Sequence, residues 1–196
     1  MNYNLAIPEF VIPKAAILFS TAIFVLCGQP THASESFFAN LRSLCGERFV
    51  GTMTFPVDGQ DSFKGKPLTA TIATCSAKQI SIPFQVGEDT SRTWLVSRVN
   101  NQTIFKHDHR HKDGSLNEIT NYGGTAQAQG TALSQTFPAD EFTQKLIPEA
   151  ATNQWSLTFS EDKHILTYHL ERHQMPRFTA VLERVSKTKK EGTSAP

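Results

Sequence analysis

The chain has 196 residues, of which 19% are charged and 39% hydrophobic, and its formal net charge at neutral pH is +1. That balance, with no basic stripe interleaved with aromatics, gives no electrostatic basis for nucleic acid or an anionic membrane surface as partner. The length fits one domain, and a chain of ~150 residues buries about 70% of the surface it exposes when unfolded, so a sizeable core is affordable.

The first 33 residues read as a secretory signal peptide. Lys14 precedes an apolar run from Ala15 to Cys27, too short for the ~20 residues that span a bilayer. Gly28 to Ala33 follow, and Thr31 and Ala33 fill the two positions where signal peptidase favours small residues, which places cleavage after Ala33. Leu26 ahead of Cys27 is too large for a lipoprotein site. No later segment approaches a membrane span, so the product is expected to be periplasmic or secreted, with a net charge still of +1 because Glu9 and Lys14 leave together. The domain is expected over 34–186. A disordered tail is expected over 187–196, where Lys187, Lys189 and Lys190 lie among Ser, Thr, Gly and Pro.

Glu35 to Leu44 predicts a helix, with Ser34 or Ser36 as cap and Phe37, Phe38, Leu41 and Leu44 at helical spacing. Glu47 to Pro56 and Pro67 to Cys75 read as strands joined across Gly59 and Gly65. A hairpin centred near Asp61 would set Cys45 opposite the stretch from Cys75 to Lys78. These are the two thiols left once Cys27 departs, and an oxidising compartment makes a structural disulfide between Cys45 and Cys75 the expectation. Closing a loop of about 30 residues adds roughly 3–4 kcal/mol on the chain-entropy estimate.

Gln79 to Val86 alternates strictly, with Pro83 suggesting an edge or a bulge. Further strands follow at Arg92–Val99, Thr103–His109, Thr131–Phe137, Gln154–Phe159, His164–Arg172 and Arg177–Val185, with turn signals between them. Tyr122-Gly123-Gly124 reads as a tight turn or bulge, and Ala139–Leu146 as a second helix ahead of Pro148. Many short strands with sequential connections and no βαβ alternation indicate a mainly β fold: one antiparallel meander closed into a calycin-like barrel, with a two-sheet sandwich as the alternative.

The stretch Phe105 to Gly114 carries three of the chain's seven histidines at alternate positions. On an extended strand His107, His109 and His111 line one side, while Asp108 and Arg110 line the other, which reads as a wet, ionisable strip and not as a core strand. Three uses are open. The strip can be a solvated strand end. It can hold zinc or another divalent metal, provided that further ligands come from Asp113, Glu118 or the strand carrying His169, Glu171 and His173; the outer two histidines, ~13 Å apart along a strand, cannot share one ion. Or it can belong to a polar pocket in which His109 with Asp113, or His169 with Glu171, handles protons. There is no nucleophile elbow, no zinc-protease helix, no phosphate loop and no dinucleotide fingerprint, and no catalytic residue or bound cofactor is nominated.

Trp94, Phe105, Trp155, Phe159, Tyr168 and Phe178 are expected in the core, a few of them lining a ligand cavity. Arg92, Arg98, Arg172 and Arg177 fall within strand patterns where half of the positions are buried. A guanidinium inside the barrel would favour a carboxylate- or fatty-acid-like ligand.

Cys45-Gly46-Glu47-Arg48-Phe49, Lys106 to His111 with Asp113-Gly114, Asn121-Tyr122-Gly123-Gly124, Ala150 to Trp155 and Pro176-Arg177-Phe178 resemble signature blocks of a bacterial family of secreted proteins of unknown function. So does Phe84 to Asp89 with Ser91 to Trp94. The resemblance implies location and single-domain extent and brings no catalytic residue with it. The leading expectation is a monomeric barrel that binds a small apolar or carboxylate-bearing molecule without catalysis. The rivals are a metal-binding protein or metal-dependent enzyme built on the histidine strip, and an interaction protein with a filled barrel.

Overall fold

Burial alternates residue by residue along Gln79–Val86, Ser134–Pro138 and Gln154–Phe159, so that one face of each strand turns inward. The computed structural model describes residues 32–55 and 63–185. Helix α1 (His32–Ser43) leads into strands β1 (Arg48–Phe55), β2 (Leu68–Thr71), β3 (Thr74–Cys75), β4 (Gln79–Val86), β5 (Asp89–Val99) and β6 (Gln102–His109). Then come β7 (Tyr122–Thr125), β8 (Ser134–Pro138), helix α2 (Glu141–Leu146), a 3-10 turn (Pro148–Ala150), β9 (Gln154–Phe159), β10 (Ile165–Arg172) and β11 (Met175–Val185). The expected leader falls outside the described residues apart from its last two positions, which open α1. The hairpin centre near Asp61 and the expected tail also lie outside them.

The strands form one antiparallel sheet in the order β7-β6-β5-β4-β2-β1-β11-β10-β9-β8, so the first and last strands of the chain pair with each other. The two outer strands also meet. Gly124 bridges to Ala139, the Gln127 N–H donates to the Thr136 carbonyl at 3.0 Å, and the Asp140 N–H donates to the Gly123 carbonyl at 3.0 Å. The result is a nearly closed barrel and not a two-sheet sandwich. Side chains such as Ile80, Ile82, Trp94, Val96, Phe105 and Leu157 fill it, while hydroxyl pairs such as Thr136 with Ser156 and Ser134 with Thr158 line its outer surface.

Three details differ from the expectations. Tyr122-Gly123-Gly124 is not a turn; it is β7, paired with β6 through His107–Tyr122 and Lys106–Gly123. Its glycines answer to close approach: a Cβ on Gly124 would stand 1.6 Å from the Pro138 carbonyl oxygen, and one on Gly123 2.0 Å from that of Phe105. Pro83 lies on an inner strand and not at an edge, opposite the break between β2 and β3 and beside the bulge between Phe84 and Val86 in the pairing with β5. And α1 starts at His32, so that Ser34 is inside the helix and donates its hydroxyl to Thr103 Oγ1 at 2.8 Å instead of capping it.

Helix α1 closes one end of the barrel. Phe37, Phe38, Leu41 and Leu44 are all buried, each gaining about 1.5–3 kcal/mol from removal of its surface from water. The polar side of the helix is tied to the turns at that end: Glu35 accepts from Arg98 at 3.0 Å, Asn40 donates to the Ala132 carbonyl at 2.9 Å, and Lys163 donates to Asn40 at 2.8 Å. Just beyond the helix, Cys45 is bonded to Cys75 with Cα atoms 6.1 Å apart, as expected.

Two variants test this framework. Gly124→Ala should lower the urea midpoint by an amount equivalent to about 1–3 kcal/mol or more, because the obstruction is backbone and cannot rotate away. The double variant Cys45→Ser, Cys75→Ser should lose about 2–5 kcal/mol in the same measurement and retain the far-UV spectrum of a β-barrel.

Candidate functional site

On β6 the inward-facing set is Thr103, Phe105, His107 and His109. The expectation of a wet strip is overturned: His107 is only 4% exposed. The physical reason lies in strand parity, since the face that carries Phe105 into the core carries His107 and His109 with it.

Both histidines line a cavity of about 270 Å³ at the end of the barrel opposite α1. Phe84, Trp94, Tyr122, Trp155, Tyr168 and Phe178 give it aromatic walls, and Ile119 and Ile147 stand among its apolar lining. The rings are in mutual contact: Phe84 stacks on Trp94 at 4.3 Å between centroids, Trp94 lies 4.5 Å from Tyr168, and Tyr168 lies 5.7 Å from Phe178.

At the base His107 is held at both nitrogens. Nδ1 lies 3.2 Å from the Tyr122 carbonyl oxygen and Nε2 lies 2.9 Å from the Tyr168 hydroxyl. Burial pushes its pKa down to about 3, against a smaller opposing pull from the Tyr122 carbonyl. The ring is therefore neutral, and it stacks on Tyr122 at 4.6 Å. Nearer the mouth, His109 Nε2 lies 3.1 Å from the Tyr122 hydroxyl. Its pKa is lowered by burial first and then by the positive charge of Arg92. Burial raises the Tyr122 phenol to about 12 and carries that of Tyr168 well above its ordinary value. Two neutral His–Tyr pairs thus form an uncharged polar layer inside an aromatic box.

Three arginines border this layer. Arg92 pairs with Asp89 and lies 5.3 Å from the centre of the Phe63 ring. Arg172 donates from Nε to Asn153 Oδ1 at 2.8 Å, and its pKa is lowered by burial and then by the neighbouring charge of Arg177. The register slips by one residue opposite Leu170 and Glu171, so that Arg177 and Phe178, adjacent in sequence, both line the cavity. Among the described residues neither Arg172 nor Arg177 has a carboxylate partner within salt-bridge distance. Arg98 is elsewhere, at the α1 end with Glu35.

The remaining candidates are dispersed. His111 is exposed in the loop after β6, 4.0 Å from Glu118. Asp113 accepts from the Ser115 hydroxyl at 2.6 Å and the Ser115 N–H at 2.9 Å, bonds that hold its pKa below the usual value. It does not pair with His109. His169 and Glu171 do approach each other, at 3.3 Å, but on the outer face of the barrel, where His169 Nδ1 also meets Thr179 Oγ1 at 2.7 Å. The inward set of β10 is Leu166, Tyr168, Leu170 and Arg172, so the two histidine strands turn their imidazoles to opposite sides of the wall. His173 is in the following turn, 3.0 Å from Thr152. Among the described residues no three His, Cys, Asp or Glu side chains gather as a metal ion requires. Tyr122 and Asn153 were missed by sequence reasoning. The glycines beside Tyr122 masked its strand, and Asn153 lies in a loop.

No family model matches the chain, no curated protein matches its sequence, and no solved structure matches its fold. Function is therefore argued from the site.

The neutral state of His107 has a measurable consequence. Its folded pKa of about 3 lies below the ordinary 6.5, so the unfolded chain binds a proton that the folded chain refuses. Its contribution to stability is complete above pH 6.5 and is lost progressively as pH falls toward 3. His109 acts in the same direction. Urea midpoints measured across that window should fall less steeply with acidification in His107→Gln than in the parent protein, and parallel curves would show that the imidazole is not neutral in the fold.

Proposed function

We propose that the protein is a periplasmic or secreted monomeric carrier that holds a small apolar acid in the open end of its barrel, and that it performs no chemistry on that ligand. The observation that carries this reading is the pair Arg172 and Arg177, which line an aromatic cavity and have no carboxylate within salt-bridge distance among the described residues, Glu149 acting on Arg172 only from farther off. A half-buried guanidinium is stabilised by an anion that can meet its planar fork, and a carboxylate does so with two parallel hydrogen bonds. The aromatic walls supply the apolar contact that such sites use to bind the rest of a ligand. The Cys45–Cys75 bond and the lack, among the described residues, of a helix long and apolar enough to cross a membrane are compatible with a location outside the cytoplasm.

Specific observations favour this reading over its rivals. Both nitrogens of His107 are engaged, and the His169 strand presents its imidazole to the other side of the wall, which leaves the metal reading without a ligand set. The barrel is filled only from α1 up to the His107 layer; beyond it the interior is open.

The chain's two tryptophans, Trp94 and Trp155, both line the cavity and make binding visible by fluorescence. Titration with cinnamate should quench them saturably, and cinnamamide, isosteric but neutral, should bind at least about tenfold more weakly, since a hydrogen bond to a charged group contributes about 1.5–3 kcal/mol. Arg172→Ala and Arg177→Ala should each erase most of that preference. Equal affinity for acid and amide would contradict the reading.

A further inference from the structure

The cavity base is directional. A backbone carbonyl can only accept, so the contact between His107 Nδ1 and the Tyr122 oxygen, at 3.2 Å, fixes the single proton of the neutral ring on Nδ1. Nε2 is then an acceptor, and the Tyr168 hydroxyl, 2.9 Å away, must donate to it. The chain of bonds runs one way, from Tyr168 through His107 to the Tyr122 carbonyl. Tyr168 lines the cavity, and with its proton committed its hydroxyl oxygen has only lone pairs to offer a ligand. A ligand group placed there must be a donor.

The opposite requirement holds at the mouth. Tyr168 and Arg172 share the inward face of β10, four residues and thus ~13 Å apart along the strand. A molecule lying between them meets an acceptor at its inner end and guanidinium donors at its outer end. Its middle would sit among the rings of Trp94, Trp155, Tyr122 and Phe178, where a flat ring gains from offset or edge contacts that a flexible alkyl chain does not make. A cationic donor such as an ammonium would meet the field of Arg92, Arg172 and Arg177. A neutral hydroxyl would not. The volume of about 270 Å³ lies at the lower edge of the ~300–1,000 Å³ common for small-molecule sites, which suits a single ring and not a folded acyl chain.

From this polarity we infer that the ligand is a hydroxyaryl carboxylic acid, its carboxylate at Arg172 and Arg177 and its phenolic hydroxyl donating to the Tyr168 oxygen. The inference rests on the acid-binding reading and adds the ring and the hydroxyl to it.

Tryptophan fluorescence titrations with 4-hydroxycinnamate, cinnamate and octanoate test it. The expected result is that 4-hydroxycinnamate binds about tenfold more tightly than cinnamate, the value of one well-formed hydrogen bond, and that octanoate binds more weakly than either. In Tyr168→Phe, 4-hydroxycinnamate and cinnamate should bind equally, the preference for the hydroxyl being lost whatever the variant does to the affinity of both. A second readout does not depend on that variant: a phenol that donates to a neutral acceptor resists ionisation, so 4-hydroxycinnamate bound to the parent protein should keep its phenol absorption at pH about 10, near the ordinary phenol pKa. Equal binding of cinnamate and 4-hydroxycinnamate, tighter binding of octanoate, or a phenolate band in the bound ligand would each overturn the inference while leaving acid binding intact. Failure of all three carboxylates to bind would remove both.

Discussion

The hydrogen bonds from His107 to the Tyr122 carbonyl and the Tyr168 hydroxyl join β6, β7 and β10 across the barrel interior, and the position of the cavity depends on them. Below this strut Phe105, Phe137 and Phe37 pack into contact, with Phe105 and Phe137 centroids 5.2 Å apart and Phe37 6.3 Å from Phe137. Helix α1 seals that side. Above the strut, the polar tips of His109, Tyr122 and the arginines keep the space from collapsing into a second apolar layer. A buried imidazole is costly unless both nitrogens are satisfied, and here the neutral form is satisfied at both. Burial disfavours the protonated form, whose second N–H would need an acceptor in place of the donating Tyr168 hydroxyl, and among the described residues no carboxylate lies within salt-bridge distance of the ring.

Charge is layered along the barrel axis as a consequence. The α1 end carries compensated pairs such as Glu35 with Arg98, the middle of the interior is neutral, and of the three arginines that line the open end only Arg92 is paired with a carboxylate among the described residues, Asp89. Electrostatic attraction of an anion is therefore strongest where the interior is accessible and vanishes where it is filled. Aromatic walls beneath a cationic rim let one molecule satisfy both layers at once, its acid group at the rim and its apolar body below.

Much of the fold was legible in the sequence because strand alternation is a local property. The helix over Phe37 to Leu44, the strands around Ile80, Trp94, Leu157 and Tyr168, and the Cys45–Cys75 bond could all be read that way. What failed was the inference from polarity to exposure. His107 and His109 look like surface residues by type, yet they stand two and four positions after Phe105 on one face, and parity alone would have turned them inward. The strand at Tyr122 was hidden because Gly123 and Gly124 mimic a turn, whereas their role, backbone contact with Phe105 and Pro138, involves residues distant in sequence. Arg177 could be named as a candidate but not placed, since the one-residue slip that brings it beside Phe178 is a property of the β10–β11 pairing. The opposed faces of His109 and His169 were likewise a matter of tertiary register, which no local pattern contains.

The most direct measurement is a native mass spectrum of the protein purified from its own compartment, recorded beside a spectrum of the denatured, unreduced chain. The account requires a stoichiometric organic acid that remains bound in the native spectrum and is absent from the denatured one, on a chain whose Cys45–Cys75 bond is intact. A stoichiometric metal ion with no organic mass, retained in an Arg172→Ala, Arg177→Ala variant and lost on His107→Gln, would contradict it.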